Sequence, residues 1–229
     1  MRPIYVLLAL LLLVVVAGSS YAAQPVRIAV TDLTYEEQVR DQFRVIVSQT
    51  QRQRQGSYNV TQDVSGTQTY INRGELHKFA ADIKGELIKL GYSLVQGRPV
   101  KSKEQEQLFD ILARIKQGVY QGASHVLFGV VNSVEFRQEA NPVDQSAHPT
   151  WAHGLSLELV AEFSLIDTKS RAVTASFSAM GEGSDTRLVN NPQAVVVPSR
   201  GKVVAATSAT LGQDVARKLQ EQLALELER

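Results

Sequence analysis

The chain has 229 residues and no cysteine, and its 24 Lys and Arg against 23 Asp and Glu give a formal net charge of +1. A nearly neutral chain without a basic cluster lacks the charge pattern of a nucleic-acid-binding protein, and a chain without cysteine forms no disulfides. Its length is enough for one sizeable hydrophobic core.

The first 22 residues have the pattern of a secretory signal peptide. Arg2 provides the positive start, residues 4–17 are almost purely apolar, and Ser20-Tyr21-Ala22 places small residues where a signal peptidase cleaves. The apolar run falls short of the roughly 20 residues that span a bilayer, so we expect cleavage after Ala22 rather than a retained anchor. No later run is apolar enough for a transmembrane helix, and without cysteine the exported chain is not expected to be a lipoprotein.

The remaining residues, 23–229, are predicted to form a single domain that begins with a strand. Residues 26–33 (VRIAVTDL) are a β-branched run that enters a turn, which is typical of a strand. Residues 35–47 mix helical and strand signals. Residues 48–73 are rich in Gln, Ser, Thr and Gly, so we expect a long polar loop there.

Two amphipathic helices are predicted in the middle of the chain. The first covers residues 74–90, where Leu76, Phe79, Ile83 and Leu87 recur at helical spacing before Gly91, a residue suited to a helix C-terminus. A short strand at 92–96 follows, and then a second helix at 104–120. The apolar residues of the second helix also lie three or four positions apart.

The second half of the chain is predicted to be mostly strand. A strand at 124–136 and a polar loop at 137–152 precede a β-hairpin, in which apolar and polar residues alternate on both sides of the turn at 167–171. A further polar loop at 181–200 leads to a final helix that begins near residue 201. The expected fold is α/β (α+β), a mixed sheet of about five strands with amphipathic helices packed on it, in the order β-α-β-α-β-β-α.

Few residues in this sequence suggest catalysis. His148 and His153 lie in one predicted loop at a spacing that would let two imidazoles bind one metal, but no third ligand stands at a recognisable offset. The nucleophile elbow and the phosphate-binding glycine loop are both absent from the sequence. We therefore expect neither an enzyme nor a metal or other cofactor, and a metal-dependent hydrolase stays an alternative.

The order of the elements resembles that of a family of bacterial envelope proteins. Gly122-Ala123, Val126-Leu127 and Gly129 match the Gly-Ala-x-x-Val/Ile-Leu-x-Gly pattern of the curli-secretion CsgG family, which is related to the penicillin-binding-protein activator LpoB and the amino-terminal domain of TolB. The family also carries a hairpin with Asp-x-x-Thr/Ser-Gly at its turn. Here that turn is Asp167-Thr168-Lys169-Ser170-Arg171, so the usual glycine is replaced.

Membership of this family would imply a scaffold or regulator of the envelope, commonly a ring. The loops at 137–152 and 181–200 contain prolines and lack the long alternation that membrane-crossing strands need, so we do not expect this chain to build a pore. The sequence thus predicts a non-enzymatic periplasmic protein, peripheral to the outer membrane through protein partners, that serves a secretion, flagellar or polysaccharide-export ring. An activator of a peptidoglycan synthase, which would bind a penicillin-binding protein, is the alternative. Candidate partner-contact residues are the aromatic and imidazole side chains of the predicted loops, Tyr58, Tyr70, His148, Trp151 and His153.

Overall fold

The computed structural model of the chain describes residues 26–35, 43–53, 56–66, 73–98, 107–143, 150–189 and 198–227. Within these ranges, no helix is both long and apolar enough to cross a membrane. The strands are β1 (Arg27–Val30), β2 (Thr34–Tyr35), β3 (Phe43–Gln53), β4 (Gly56–Gly66), β5 (Ser93–Leu94), β6 (His125–Pro142), β7 (Trp151–Asp167) and β8 (Val173–Val189), and the helices are α1 (Arg73–Lys89), α2 (Leu108–Lys116) and α3 (Arg200–Leu227).

All eight strands belong to one mixed sheet organised around β6. Along one edge, β6 pairs in parallel with β1, then β2, then β3, and along its other edge it pairs antiparallel with β7. One strand can serve three partners in succession because it is 18 residues long. β5 pairs with the outer edge of β1, β4 with that of β3, and β8 with that of β7.

The larger hydrophobic core lies between one face of the sheet and the helices α1 and α3. Phe79, Ile83 and Leu87 of α1 have no exposed surface, as the helical spacing of the apolar residues predicts. They pack against alternate residues of β7, from Leu155 to Leu165, and against the apolar stripe of α3. Burial of each such side chain contributes about 1.5–3 kcal/mol, so both helices are integral parts of the fold.

A smaller core lies on the opposite face, where α2 covers only the first part of β6. Ile111 and Ile115 of α2 contact Val126 and Phe128 of β6 and Ile166 of β7. Beyond this contact the same face of β6, β7 and β8 carries mostly exposed polar side chains.

Helix α3 lies unusually close to β8. A methyl group added at Gly183 would stand 2.5 Å from the carbonyl oxygen of Val203, and one added at Gly181 would stand 2.5 Å from that of Thr207. Only glycine at these two strand positions lets the helix backbone approach this closely.

The α+β class, the mixed sheet and the predicted element order are confirmed, and β2, β3 and β4 are additions to them. The hairpin is confirmed too, with β7 and β8 joined by a turn at 168–170. Gly91 ends the α1 segment with a φ of 88°, the left-handed conformation expected of a C-terminal glycine.

Three loop predictions are wrong. Most of the segment predicted as a polar loop at 48–73 belongs to the β3–β4 hairpin. The segments predicted as loops at 137–152 and 181–200 also contain strand, because β6 continues to Pro142 and β8 continues to Val189. In all three cases the backbone hydrogen bonds of polar residues are satisfied by a neighbouring strand rather than by water.

Candidate partner-binding surface

The end of β6 farthest from α2 brings together two of the segments predicted to contact partners. Ala140 of β6 pairs with Val47 of β3 on one edge and with His153 of β7 on the other. The β3–β4 hairpin and the start of β7 therefore flank the same end of one strand, although they lie about a hundred residues apart in the sequence.

The β3–β4 hairpin is weakly attached to the rest of the sheet by backbone pairing. Its two strands pair with each other over 11 residue pairs, from Phe43↔Gly66 to Gln53↔Gly56. Only two residues of β3, Ile46 and Val47, pair with β6. In the part of the chain that the structure covers, β4 has no strand on its outer edge, so its outward N–H and C=O groups are available to another strand.

The opposite edge of the sheet, on β8, is closed by side chains of α3. Oδ2 of Asp214 accepts the N–H of Met180 at 3.0 Å, and Oγ1 of Thr210 accepts the N–H of Glu182 at 2.9 Å. Lys218 Nζ donates to the carbonyl oxygen of Ser178 at 2.6 Å. The side chains of one helix thus satisfy the middle of this edge, which leaves β4 as the long open edge.

The pKa of Asp214 reflects this contact. Burial by itself would raise the pKa of Asp214, but hydrogen bonds from the N–H of Met180 and from Arg217 and Lys218 outweigh burial and hold the pKa below its ordinary value. The carboxylate is therefore ionised in the folded protein at neutral pH, the form that accepts these hydrogen bonds.

The uncovered face of β6, β7 and β8 carries a row of three glutamates. Glu135 lies directly opposite Glu158, and Glu158 lies directly opposite Glu182. Arg137 binds both oxygens of Glu135, at 2.6 and 2.9 Å, and this contact lowers the pKa of Glu135. These side chains line a groove of about 440 Å³. Like charges directly across strands destabilise a sheet, so this acidic face costs free energy in the isolated chain.

Two predicted contact residues, Trp151 and His153, face the inner side of β7. Trp151 is only 8% exposed, so in this structure it packs on the sheet as a core residue rather than projecting as an anchor. Nε1 of Trp151 and Nε2 of His153 are buried and have no hydrogen-bond partner in the described structure. Each buried polar group left unpaired costs about 1–3 kcal/mol.

Of the other three predicted contact residues, the structure describes only one. Tyr58 lies in β4, where it pairs with Gln51 of β3, whereas Tyr70 and His148 lie outside the described residues. The proposed metal pair of His148 and His153 is therefore untested. Among the residues that the structure describes, no group of three His, Cys, Asp or Glu side chains is arranged to hold a metal ion.

A weak signal for the β3–β4 hairpin was present in the sequence. Tyr58, Val60 and Val64 occupy alternate positions of one strand face, and Gly56 marks its start. Gln62 interrupts this apolar set on the same face, and the polar composition of the whole segment favours a loop.

No family model matches this chain, and no curated protein matches it. The predicted relationship to the CsgG and LpoB families therefore stays a prediction.

Solved structures do share parts of its shape. They include a neuraminyllactose-binding hemagglutinin homolog from Helicobacter pylori, with 10% identity, a TM-score of 0.47, and coverage of 90% of this chain and 91% of the other. A PelC dodecamer from Paraburkholderia phytofirmans has 14% identity, a TM-score of 0.34, and coverage of 85% and 89%. Lipoprotein GNA1162 from Neisseria meningitidis has 15% identity, a TM-score of 0.32, and coverage of 68% and 79%. At these TM-scores the likenesses carry no argument about function.

Proposed function

We propose that this chain is a non-enzymatic component of a bacterial envelope assembly, exported to the periplasm and held at its place by protein partners. Its first partner is a second copy of the chain, which adds a strand to the outer edge of β4. The observation that supports this proposal is the contrast between the two edges of the sheet, since α3 closes the edge of β8 while the edge of β4 is open.

Strand addition suits the β3–β4 hairpin for two physical reasons. Main-chain hydrogen bonds provide the affinity in such pairing, so a polar strand is as suitable as an apolar one. In addition, the hairpin pairs with β6 at only Ile46 and Val47, so little of its backbone is committed to the rest of the sheet. Because α3 closes the edge of β8, the β4 edges of two copies would pair with each other, an isologous contact that gives a two-fold dimer.

Two neighbouring proline substitutions test this proposal. Successive N–H groups of a strand point to opposite edges, so one of Val60→Pro and Thr61→Pro removes an outward N–H and the other removes an N–H shared with β3. We expect the wild-type chain to form oligomers by light scattering. The outward variant should be monomeric and keep its hairpin structure, and the inward variant should lose hairpin structure as well.

Two results would contradict the proposal. One is a wild-type protein that stays monomeric at concentrations up to about 100 μM, well above the Kd values of specific complexes. The other is an oligomer that both proline variants leave intact.

A further inference from the structure

A second place in the molecule, remote from the β3–β4 hairpin, has the features of a small-molecule site. In the order β5-β1-β6 all three strands are parallel, and β1 lies between the other two. The chain passes from β1 through β2, β3 and β4 to α1 and then to β5, and it returns from β5 to β6 by way of α2. The two helices lie on opposite faces of the sheet, since α1 belongs to the larger core and α2 to the smaller one.

Strand order that reverses in this way opens a crevice at the carboxyl ends of the strands. In open α/β sheets ligands bind in this crevice. Here it has a volume of about 460 Å³ and lies between the residues that follow β1 and β5 and the facing sides of α1 and α2. Its volume falls within the range of about 300–1,000 Å³ that is usual for small-molecule sites.

The charges that line the crevice are mainly positive. Lys84 of α1, Arg98 after β5 and Arg114 of α2 face a single carboxylate, that of Asp32. Oδ1 of Asp32 lies 3.3 Å from Nδ1 of His77, so the carboxylate already has a neighbour. The crevice therefore attracts anions.

Of the three cations, Lys84 is the one best able to bind a ligand. It forms no ion pair with any described residue, whereas Lys78 and Lys89 on the same helix are paired with Asp82 and Glu86. Arg98 NH2 donates to the amide oxygen of Gln121 at 2.9 Å, and this acceptor carries no net charge.

The hydroxyl of Thr31 is a second and independent sign of a ligand. Thr31 lines the crevice at the end of β1 and is only 7% exposed. Its backbone N–H is satisfied by the carbonyl oxygen of Leu127 at 3.0 Å, but its Oγ1 has no hydrogen-bond partner in the described structure. A buried hydroxyl without a partner is destabilising, and rotation about its Cβ–Oγ1 bond lets it direct its hydrogen toward an anion.

The remaining wall of the crevice is apolar. Ile88 of α1 is 59% exposed although it is a large aliphatic residue, and Leu94, Val95 and Val119 line the crevice beside it. An exposed isoleucine next to an unpaired lysine favours a ligand that has both an apolar part and a negative charge.

We infer that this crevice binds a small organic anion, with a carboxylate or phosphate head near Lys84 and Thr31 and a short aliphatic part against Ile88. The inference does not depend on the proposed assembly through β4.

Calorimetric titration of the full chain with four probes tests this inference. Hexanoate and hexyl phosphate carry both the charge and the aliphatic part, inorganic phosphate carries only the charge, and hexanol carries only the aliphatic part. We expect at least one of the two amphiphilic anions to bind about tenfold more tightly than inorganic phosphate and hexanol, with an affinity that falls as salt is added. The comparison of hexanoate with hexyl phosphate identifies the head group.

Two variants and a control locate the site. Lys84→Met keeps the aliphatic stem and removes the charge, and it should weaken binding about tenfold, which corresponds to about 1.4 kcal/mol. Thr31→Val removes the unpaired hydroxyl, so it should weaken binding without lowering the free energy of unfolding. The control Lys116→Met, on α2 outside the crevice, should bind as the wild type does. Absence of binding at millimolar concentrations, equal binding of hexanol, or unchanged binding by both Lys84→Met and Thr31→Val would overturn the inference.

Discussion

At the scale of single residues, the turn between β7 and β8 combines a stabilising aspartate with a strained arginine. Oδ1 of Asp167 accepts the N–H groups of Lys169 at 3.0 Å and Ser170 at 2.6 Å, and these bonds, that of Ser170 first, lower the pKa of Asp167. Arg171 has a φ of 62°, which is the left-handed conformation that a side chain makes costly. This is the position at which the resemblance to the CsgG family leads one to expect glycine.

Replacement of Arg171 by glycine should therefore stabilise the protein. We expect Arg171→Gly to raise the free energy of unfolding by about 0.5–1 kcal/mol, because glycine adopts a positive φ without the steric cost. The control Lys169→Gly, in the same turn but without a positive φ, should be neutral or destabilising. Urea denaturation measures both, and equal losses of stability in the two variants would disprove the strain at Arg171.

At the scale of elements, the contact between α3 and β8 depends on small residues and on side-chain hydrogen bonds to the strand edge. Gly181 and Gly183 bring the strand against the helix backbone. Asp214 and Thr210 then reach the N–H groups of Met180 and Glu182. Ser199, just before α3, is also held, since its N–H donates to Asp185 of β8 at 2.7 Å.

Substitution at Gly183 should separate these two elements. The added methyl group of Gly183→Ala would meet Val203 O and Thr207 N of the helix, which cannot move without displacement of α3. We expect a loss of about 1–3 kcal/mol in the free energy of unfolding, as is usual for overpacked cores. Gly154→Ala in β7 is the matched control, because its nearest neighbour is Thr186 Oγ1 at 3.9 Å. If thermal denaturation gave the two variants similar stabilities, α3 and β8 would have room for the added methyl group, and the close contact at Gly183 would be disproved.

At the scale of the whole molecule, one aspartate holds a turn and two join separate elements, and all three have a lowered pKa. Asp167 holds the hairpin turn, Asp185 accepts the N–H of Ser199 ahead of α3, and Asp214 holds the edge of β8. A group whose pKa is depressed on folding adds stability at a pH above its unfolded value, and this stability is lost as the pH falls through its folded value.

The stability of the protein should consequently fall in acid. An unfolded aspartate has a pKa of about 3.9, so we expect the urea midpoint to be constant above about pH 5 and to decline below pH 4. Asp214→Asn should be about 1–2 kcal/mol less stable than the wild type at pH 7, because the bonds to Lys218 and Arg217 lose their charge, and the difference should narrow at pH 3. Glu162→Gln, on the exposed face of β7, is the control and should keep the wild-type pH profile. A pH-independent difference for Asp214→Asn would contradict this account.

The parts of this fold that were predictable are those whose residues carry a local repeat. The helix α1 and the β7–β8 hairpin each show an apolar period, of about 3.6 residues in Phe79, Ile83 and Leu87 and of 2 in Leu157 and Leu159. Burial on one face of an element imposes this apolar period. The period can therefore be recognised in the sequence without knowledge of the element that packs against it. The sequence does not predict the β3–β4 hairpin, because its strands are mostly polar and pair mainly with each other. Such strands show only a weak apolar period.

The candidate sites were less predictable than the fold. The sequence predicts loops around Tyr58 and Trp151, but the structure places both residues in strands and buries Trp151. The crevice had no signal in the sequence, since Thr31, Lys84 and Arg98 are ordinary residues of three separate segments.

By itself, then, the sequence determined the kind of the apolar-patterned elements and the nearly neutral charge balance. Only the tertiary structure decided which strand edge is open, that β6 and β8 extend into polar residues, and that Thr31 and Lys84, more than fifty residues apart in the sequence, line one crevice. The physical reason is that an apolar period records burial, which acts on each element separately. Strand pairing and the meeting of charges depend on hydrogen bonds and distances between elements, and those are set only when the chain folds.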